Sequence, residues 1–331
     1  MSLLTNYNKI NRSYKRKLVF NFGPHAGFYS EFNNMVYAIL YCLKYKYRFI
    51  LYSFDANFKY NLGWEDYFEP FCDSTKFSFH QRHNPRKLGP IVSRKDPIYE
   101  KIYELLNPNT FLTHQLWPKF YNPEFEKEHF DIPKLGIKGN LRESSRKIVE
   151  MIYNFNSPTK NIIHSIIEKL NLPPKYASIH IRRGDKATEV ELLQNAVYID
   201  RLKQETDLRS IFVSTDDFAV LAELEKNYGE FNFFTLTEKG EKGYVLEDFG
   251  KLSEEEKEHK MLILFASMEI ICKSDCFVGT YITNLGNFAG MKMPDEKIHS
   301  VQKASWYQFE DEDVKDQYYF KERARELSSR S

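Results

Sequence analysis

The pattern of apolar positions predicts two stretches in which strands alternate with helices. In the first, residues 18–22 and 48–52 have the short apolar runs of buried strands, and residues 31–45 between them repeat apolar positions at helical spacing. Ser30 is a candidate N-cap for this helix, because its hydroxyl can accept from a free backbone N–H group. A strand, a helix and a strand in this order are the repeating unit of a parallel α/β sheet.

The second stretch repeats this alternation after an irregular, aromatic segment at residues 54–140. Short helices are predicted at residues 97–106 and 123–130, and residues 143–170 have a helical pattern that breaks at Ser157 and Pro158. The later strands are predicted at residues 176–181, 211–214, 231–235 and 276–279, and the later helices at residues 195–206, 219–228, 257–273 and 284–292. The predicted fold class is therefore α/β, with a second doubly wound sheet.

The chain length of 331 residues suits two domains of typical size. We place an N-terminal α/β domain at residues 1–160, a C-terminal Rossmann-like domain at residues 161–310 and a charged tail or helix at residues 311–331. Ligands of open α/β sheets bind beyond the carboxyl ends of the strands. Polar motifs that follow predicted strands are therefore the first candidates for a site.

Charge and cysteine content exclude several classes of function. A net charge of +1 excludes broad nucleic-acid binding, which needs a strong basic surplus on one face. Cys42, Cys72, Cys272 and Cys276 lack the spacing of metal or redox motifs and are interpreted as buried thiols. The chain shows no signal peptide and no run near the roughly 20 apolar residues that span a bilayer. These features predict a cytoplasmic protein without a transmembrane segment.

The strongest chemical signal is the motif IHIRRGDK, residues 179–186, at the end of a predicted strand. Adjacent Arg182 and Arg183 point to opposite sides of an extended chain, so one can face a ligand while the other points back into the protein. A guanidinium donates two parallel hydrogen bonds to an oxyanion and so suits a diphosphate. Asp185 can brace one arginine, and Lys186 adds a positive charge. A surface salt-bridge cluster would explain two arginines alone, but the whole motif favours an anion site.

Two further strand ends carry polar groups. Asp216 and Asp217 can bind a ribose, brace an arginine or cap the following helix. Thr283 and Asn284 begin a short helix, and free N–H groups at a helix start bind phosphate. Glu189 lies close to the arginine motif and is a candidate base for an attacking hydroxyl, the alternative being a loop glutamate paired with a cation.

The first loop of the N-terminal domain, GPHAGFYSEFNN, offers an acceptor or nucleotide contact. His25, Glu31 and Asn34 are polar groups on or near this loop, and Gly27 permits a tight turn close to a ligand. Capping and turn chemistry explain the same residues. The aromatic segment that follows either stacks against sugars or packs a small core, and its candidate residues are Trp64, Tyr67, Phe68, Trp117 and Tyr121.

The order of these motifs resembles that of a known family. IHIRRGDK, TE, VSTDD and SDCFVGTYITN follow one another as in the fucosyltransferases of GT-B-like fold, which include the eukaryotic α-1,6-fucosyltransferases and the rhizobial NodZ enzymes. The likeness covers roughly residues 175–292. It implies two Rossmann-like domains facing a cleft, with the N-terminal domain on the acceptor side. It also implies inverting transfer of L-fucose from GDP-fucose to a glycan hydroxyl, without a metal ion or any further cofactor.

The resemblance also implies roles for individual residues. Arg183 would hold the β-phosphate and stabilise the leaving diphosphate, and Glu189 would be the catalytic base. The other candidates around the donor are His180, Arg182, Asp185, Lys186, Asp216, Asp217, Thr283 and Asn284.

The sequence departs from the family pattern at three places. The Lys-Ala-Thr-Glu run that ends at Glu189 is one residue shorter than in the α-1,6 enzymes. Ser267 stands where those enzymes have an aspartate for guanine, with Glu269 nearby on the same predicted helix. The RRGD sequence is equally close to the α-1,2 group, so the acceptor linkage stays open. The alternatives are a transferase for another nucleotide sugar and a non-catalytic nucleotide- or glycan-binding protein of this fold.

Overall fold

The computed structural model describes residues 2–23, 26–86, 96–185, 192–301 and 306, with the backbone alone at residue 96. The chain divides into two compact units, residues 1–159 and 160–331. His25, Lys186, Glu189 and the tail at residues 311–331 lie outside the described residues.

The N-terminal unit contains a parallel sheet with the strand order β2-β1-β3 and a separate antiparallel pair, β4 and β5. The strands are β1 (Arg16–Asn21), β2 (Tyr47–Tyr52), β3 (Thr110–Leu112), β4 (Phe130–Ile132) and β5 (Ile137–Gly139). The helices are α1 (Leu3–Ser13), α2 (Phe28–Tyr45), α3 (Phe79–His83), α4 (Asp96–Leu106), α5 (Thr113–Phe120), α6 (Pro123–Glu126) and α7 (Leu141–Ile152). Helix α8 (Ser157–Lys169) crosses the boundary between the units.

Aromatic side chains build the core of the N-terminal unit. Trp64 and Phe68 stack with ring centroids 4.3 Å apart, and both are buried, as are Tyr67 and Trp117. Tyr121 is half-buried and lies 4.9 Å from the Trp117 ring. The core interpretation of this segment is therefore confirmed, and a role for Trp64, Tyr67, Phe68 and Trp117 as exposed sugar platforms is wrong.

The C-terminal unit contains a parallel sheet with the strand order β10-β9-β6-β7-β8. The strands are β6 (Ala177–Ile181), β7 (Ser210–Thr215), β8 (Asn232–Thr235), β9 (Cys276–Gly279) and β10 (Ile298–Ser300). The helices are α9 (Asn195–Glu205), α10 (Phe218–Asn227), α11 (Leu246–Lys251), α12 (Glu254–Lys273) and α13 (Asn284–Lys292). Buried Ile179, Val213 and Val278 on the middle strands pack in one core with α9 and α10. The α/β fold class is confirmed.

Chain order and sheet order differ in an informative way. The chain runs outward from β6 through β7 to β8 and then returns to place β9 on the other side of β6. This reversal between β6 and β9 is a topological switch point, at which parallel α/β sheets bind ligands beyond their carboxyl ends.

Two local predictions are wrong. Helix α2 begins at Phe28 with Gly27 as its N-cap, so Ser30 lies inside the helix and does not cap it. The helix predicted at residues 123–130 ends at Glu126, because Phe130 enters a strand that pairs with Gly139. The predicted break near Pro158 is correct, and Ser157 begins α8.

All four cysteines are free, as predicted; Cys42 and Cys276 are buried, whereas Cys72 and Cys272 are half-buried. Burial raises the pKa of the Cys276 thiol to about 11, which keeps it protonated and inert at neutral pH. Within the described parts of the chain, the helices are all too short or too polar to cross a bilayer.

Candidate active site

Polar residues of the C-terminal unit meet at the carboxyl ends of three neighbouring strands. Strand β6 lies between β7 and β9, and it pairs with both in parallel register. The Arg182–Asp185 turn follows β6, Asp216 follows β7 and the first turn of α13 follows β9. The sheet thus brings together motifs that are about 100 residues apart in the chain.

Arg182 is enclosed by partners. Its guanidinium forms ion pairs with Asp216 and, at 2.6 Å, with Asp185. The group also lies 4.9 Å from the centroid of the Tyr244 ring and 3.4 Å from the Tyr244 carbonyl oxygen. Arg182 therefore connects three segments of chain and has little capacity left for a ligand.

Asp216 completes this arrangement from the end of β7. Besides the Arg182 guanidinium, its carboxylate accepts the backbone N–H of Arg183 at 2.7 Å and that of Tyr244 at 2.8 Å. Charge-assisted acceptance of this kind is stronger than a neutral hydrogen bond. Asp216 thus fixes the backbone at the arginine pair.

Arg183 has a different set of partners. Its guanidinium donates to the Arg182 carbonyl oxygen at 3.2 Å, to the Leu193 carbonyl oxygen at 3.0 Å and to the Asn195 side-chain oxygen. Among the described residues, no carboxylate pairs with it. Its positive charge is oriented by neutral oxygens but is not neutralised by them, which is the condition for binding an anion.

His180 is a buried acceptor on the same strand. Its Nδ1 lies 3.1 Å from the Ser214 carbonyl oxygen, which can only accept, so Nδ1 carries the proton and Nε2 has the free lone pair. No described residue hydrogen-bonds to this Nε2. Burial lowers the pKa of His180 to about 4, so the ring is neutral at physiological pH. Buried polar atoms rarely stay unpaired, and a ligand is one way to satisfy them.

Thr283 and Asp217 serve as helix caps. The Thr283 hydroxyl accepts the Gly286 N–H at 3.1 Å and donates to the Thr280 carbonyl oxygen at 3.0 Å. Asp217 accepts the Ala219 N–H at 2.9 Å at the start of α10. The capping alternative is correct for Asp217, and Thr283 and Asn284 form the start of α13 after β9, the strand that pairs with β6.

Helix α12 presents Ser267 where the family pattern expects a guanine-binding aspartate. Ser267 is buried. The Glu269 carboxylate forms an ion pair with the Lys292 ammonium at 3.1 Å, so an internal cation already balances its charge.

The candidate loop of the N-terminal unit forms a cluster of its own. Glu31 is 1% exposed, and its Oε1 lies 3.3 Å from an Arg86 guanidinium nitrogen. Burial raises the pKa of Glu31 to about 7. Asn34 donates to the Ser30 carbonyl oxygen at 2.6 Å, and Gly27 begins α2. These residues lie in the first unit, whereas the arginine motif lies in the second.

Tyr244, Asn195 and Arg86 were not predicted as site residues. Tyr244 reaches Arg182 from a loop 62 residues further along the chain. No periodicity or motif marks such a contact, since tertiary packing creates it. Within the described parts of the chain, no group of His, Cys, Asp and Glu side chains has the arrangement of a metal site.

Comparison with solved structures places this geometry in a known fold. The chain is similar to NodZ α-1,6-fucosyltransferase co-crystallised with GDP, at 13% identity and a TM-score of 0.50 over 85% of this chain and 93% of that one. It is also similar to NodZ soaked with GDP-fucose, at 13% identity and a TM-score of 0.51 over 85% and 94% of the two chains. The chain has the GT-B-like fold of these fucosyltransferases.

The likeness extends to the selenomethionine form of NodZ from Bradyrhizobium, at 12% identity and a TM-score of 0.51 over 85% and 93% of the chains. No protein-family model matches the sequence, and a search of curated proteins finds no match. The resemblance inferred from the motif order is thus confirmed in the fold.

Proposed function

We propose that this chain is a glycosyltransferase that moves L-fucose from GDP-fucose to a glycan hydroxyl with inversion. The observation that carries the proposal is Arg183, a cation without a carboxylate partner among the described residues, held at the switch point of a parallel sheet. The fold is that of fucosyltransferases crystallised with GDP and GDP-fucose.

Arg183 and the start of α13 would bind the diphosphate. The acceptor oxygen attacks the anomeric carbon of fucose, the bond from that carbon to the β-phosphate oxygen breaks, and GDP leaves with the bonding electrons. Negative charge develops on the leaving diphosphate, and fixed donors that meet this charge lower the barrier. Arg183 supplies a guanidinium. The first turn of α13, which follows the neighbouring strand β9, supplies backbone N–H groups. Arg182, Asp185 and Asp216 keep this side of the site rigid.

His180 would contribute to recognition of the base. Its Nε2 is a neutral, buried acceptor, and guanine presents N–H donors. In this proposal His180 takes part of the role that an aspartate has at the position of Ser267.

Glu189 would accept the proton of the acceptor hydroxyl, and Lys186 would add positive charge beside the donor. Lys186 directly follows the Arg182–Asp185 turn in the chain, and Glu189 comes three residues after Lys186. The first unit would provide the acceptor side.

We further propose that transfer needs no metal ion, because arginine and helix N–H groups replace one as the partner of the diphosphate. Turnover is then equal with EDTA and with added Mg²⁺ or Mn²⁺. Abolition by EDTA, with recovery on addition of one divalent cation, would contradict this part.

The function is tested by the release of GDP from GDP-fucose in the presence of a glycan panel. Acceptor-dependent release above the rate without acceptor is expected, with fucose found on the product by mass spectrometry. GDP-mannose, UDP-glucose and UDP-N-acetylglucosamine are run in parallel, because Ser267 makes another nucleotide sugar the second candidate. Turnover with one of these instead of GDP-fucose would replace the donor assignment, and binding without turnover would indicate a non-catalytic protein.

A further inference from the structure

The loop between β8 and α11 is hydrogen-bonded to the residues that follow β6 and to those that follow β7. The part of this loop that makes the contacts is the 241–246 segment, residues 241–246. The Phe218 N–H donates to the Glu241 carbonyl oxygen at 3.0 Å, and the Gly243 N–H donates to the Asp216 carbonyl oxygen at 2.7 Å. The segment therefore runs alongside the residues that follow β7 and is joined to them by backbone hydrogen bonds.

Tyr244 links this segment to the arginine turn through three groups. Its N–H donates to the Asp216 carboxylate at 2.8 Å. Its carbonyl oxygen accepts the Asp185 N–H at 3.0 Å. Its ring lies 4.9 Å from the Arg182 guanidinium, within the range of a cation–π contact. Tyr244 thus contacts Asp216, Asp185 and Arg182, and Asp216 accepts the backbone N–H of Arg183.

Two glycines permit this close approach. Gly184 and Gly243 have φ angles of +51° and +100°, which side-chain-bearing residues rarely adopt. A Cβ atom on Gly243 would overlap the Gly184 backbone, and one on Gly184 would overlap that of Tyr244. The turn and the segment therefore pack backbone to backbone, which leaves little room for independent movement.

We propose that Tyr244 is a positioning residue for diphosphate binding, which acts by fixing Arg182 and, through Asp216, the backbone of Arg183. This inference rests on the proposed function. The ring covers one face of the Arg182 guanidinium while Asp185 and Asp216 hold its edge, so the plane of the group is set from two directions. With that plane fixed, the Asp216 carboxylate stays aligned on the Arg183 N–H.

The test compares two substitutions that keep the backbone contacts and differ in the ring. Tyr244→Phe keeps the aromatic face, and Tyr244→Leu removes it. The dissociation constants of GDP and guanosine are measured for each by competition against a labelled GDP. The ratio of guanosine to GDP dissociation constants isolates the diphosphate part of binding. We expect that ratio to be unchanged within about twofold in Tyr244→Phe and to fall roughly tenfold in Tyr244→Leu.

A matched control is available at the opposite end of the sheet. The Tyr228 ring lies 5.2 Å from the Lys203 ammonium, just after α10 and before β8. Tyr228→Leu removes a similar contact there and is expected to leave the ratio unchanged. Melting temperatures of all variants identify unfolding, and Tyr244→Met replaces Tyr244→Leu if the latter does not fold.

The outcomes separate this inference from the proposed function. A wild-type protein that binds neither ligand removes the proposed function and this inference with it. Normal binding of GDP by the wild type, with equal losses of GDP and guanosine affinity in Tyr244→Leu, would overturn only the positioning role. Unchanged affinities for both ligands in Tyr244→Leu would do the same, as would a ratio that falls in Tyr244→Phe.

Discussion

Arg182 and Arg183 are adjacent in sequence and differ in what surrounds their charge. Arg182 faces two carboxylates and an aromatic ring, whereas Arg183 faces neutral oxygens in the described structure. Adjacent residues at the end of a strand point to opposite sides, so one strand end can supply both a structural cation and a ligand-binding one. Under the proposed function, Arg182 therefore contributes to stability and Arg183 to ligand binding.

This division predicts opposite outcomes for two alanine substitutions. Arg182→Ala leaves Asp185 and Asp216 without their guanidinium, so the free energy of unfolding is expected to fall by about 2 kcal/mol. Arg183→Ala is expected to cost less stability and to lower kcat by roughly a hundredfold or more, because a donor to the leaving group is lost. Urea unfolding and initial rates with GDP-fucose measure the two effects.

Arg209 provides the control for this comparison. It is exposed at the start of β7, at the other end of the sheet, where its guanidinium lies 5.1 Å from the Phe231 ring. Arg209→Ala is expected to change neither kcat nor GDP affinity. Arg183→Ala with near wild-type kcat would remove Arg183 from the leaving-group role.

Glu189 carries a prediction that rests on its chemistry. Glu189→Gln keeps the size of the side chain and removes the carboxylate that would accept a proton. Turnover is expected to be lost while GDP-fucose affinity stays within a few-fold of wild type by calorimetry. Glu225→Gln, on the exposed face of α10, is the matched control and keeps full turnover. A collapse of donor affinity with persisting turnover would make Glu189 structural.

At the scale of elements, the proposed function gives the first turn of α13 a part in both stability and ligand binding. Thr283 caps this helix from a buried position, and the same turn follows β9, which pairs in parallel with the strand before the arginine motif. Thr283→Ala is expected to lower the free energy of unfolding by about 1 kcal/mol and to weaken GDP binding, because the free N–H groups of the first turn lose their fixed direction. Thr283→Ser keeps the hydroxyl and is expected to restore both properties.

The cap of α12 is the comparison for Thr283. Ser253 accepts the Glu256 N–H at 3.2 Å at a helix start that belongs to no part of the proposed site. Ser253→Ala is expected to cost a similar free energy of unfolding with no change in GDP affinity. Equal GDP affinities for Thr283→Ala and wild type would limit Thr283 to capping.

The elements that the sequence predicts are those with a repeating apolar pattern. Strands β6, β7 and β9 and helices α12 and α13 lie within a few residues of their predicted bounds, because each presents a continuous or periodic apolar face. Strands β3, β4, β5 and β10 have three residues each and are too short to show a period. Helix α1 has no predicted counterpart, because one of its two buried residues, Asn11, is polar and interrupts the apolar repeat.

For the candidate site too, the sequence predicts the residues that stand in a recognisable pattern and not those outside one. Arg182, Arg183 and Asp216 stand in motifs at strand ends, and the parallel order of the strands brings them together. Tyr244 and Asn195 reach the motif through loop and helix packing that no local pattern encodes. Sequence therefore predicts the residues that meet at the strand ends better than those that reach them from loops and helices.

At the scale of the whole molecule, the net charge is only +1, but two buried groups make stability depend on pH in opposite directions. In the first unit, burial raises the pKa of Glu31 to about 7. In the second unit, burial lowers the pKa of His180 to about 4. Both shifts have the same cause, since burial disfavours the charged form of either group. In each unit the folded state is more stable when the buried group is neutral. A rise in pH therefore lowers stability through Glu31, and a fall in pH lowers it through His180.

The sign of each contribution follows from which state binds the proton first. Between roughly pH 4.5 and 7 the unfolded chain has released the Glu31 proton and the folded chain has kept it, so stability falls as pH rises through this range. Below roughly pH 6.5 the unfolded chain protonates His180 before the folded chain does, so stability falls as pH drops towards 4. The two slopes oppose each other in the same interval and belong to different units.

Glu31→Gln should therefore expose a pH slope that belongs to the first unit. Relative to wild type, the stability of this variant is expected to rise between pH 5 and 7 by an amount on the order of 2 kcal/mol and to level off above pH 8, because the wild type alone keeps a proton on this buried group. Trp64 and Trp117 are buried in the first unit and report its unfolding by fluorescence in a Trp306→Phe background. His180→Gln serves as the control, since its effect on pH dependence belongs to the other unit. Parallel stability curves for Glu31→Gln and its parent from pH 5 to 8 would show that the Glu31 carboxyl titrates alike in the folded and unfolded chains.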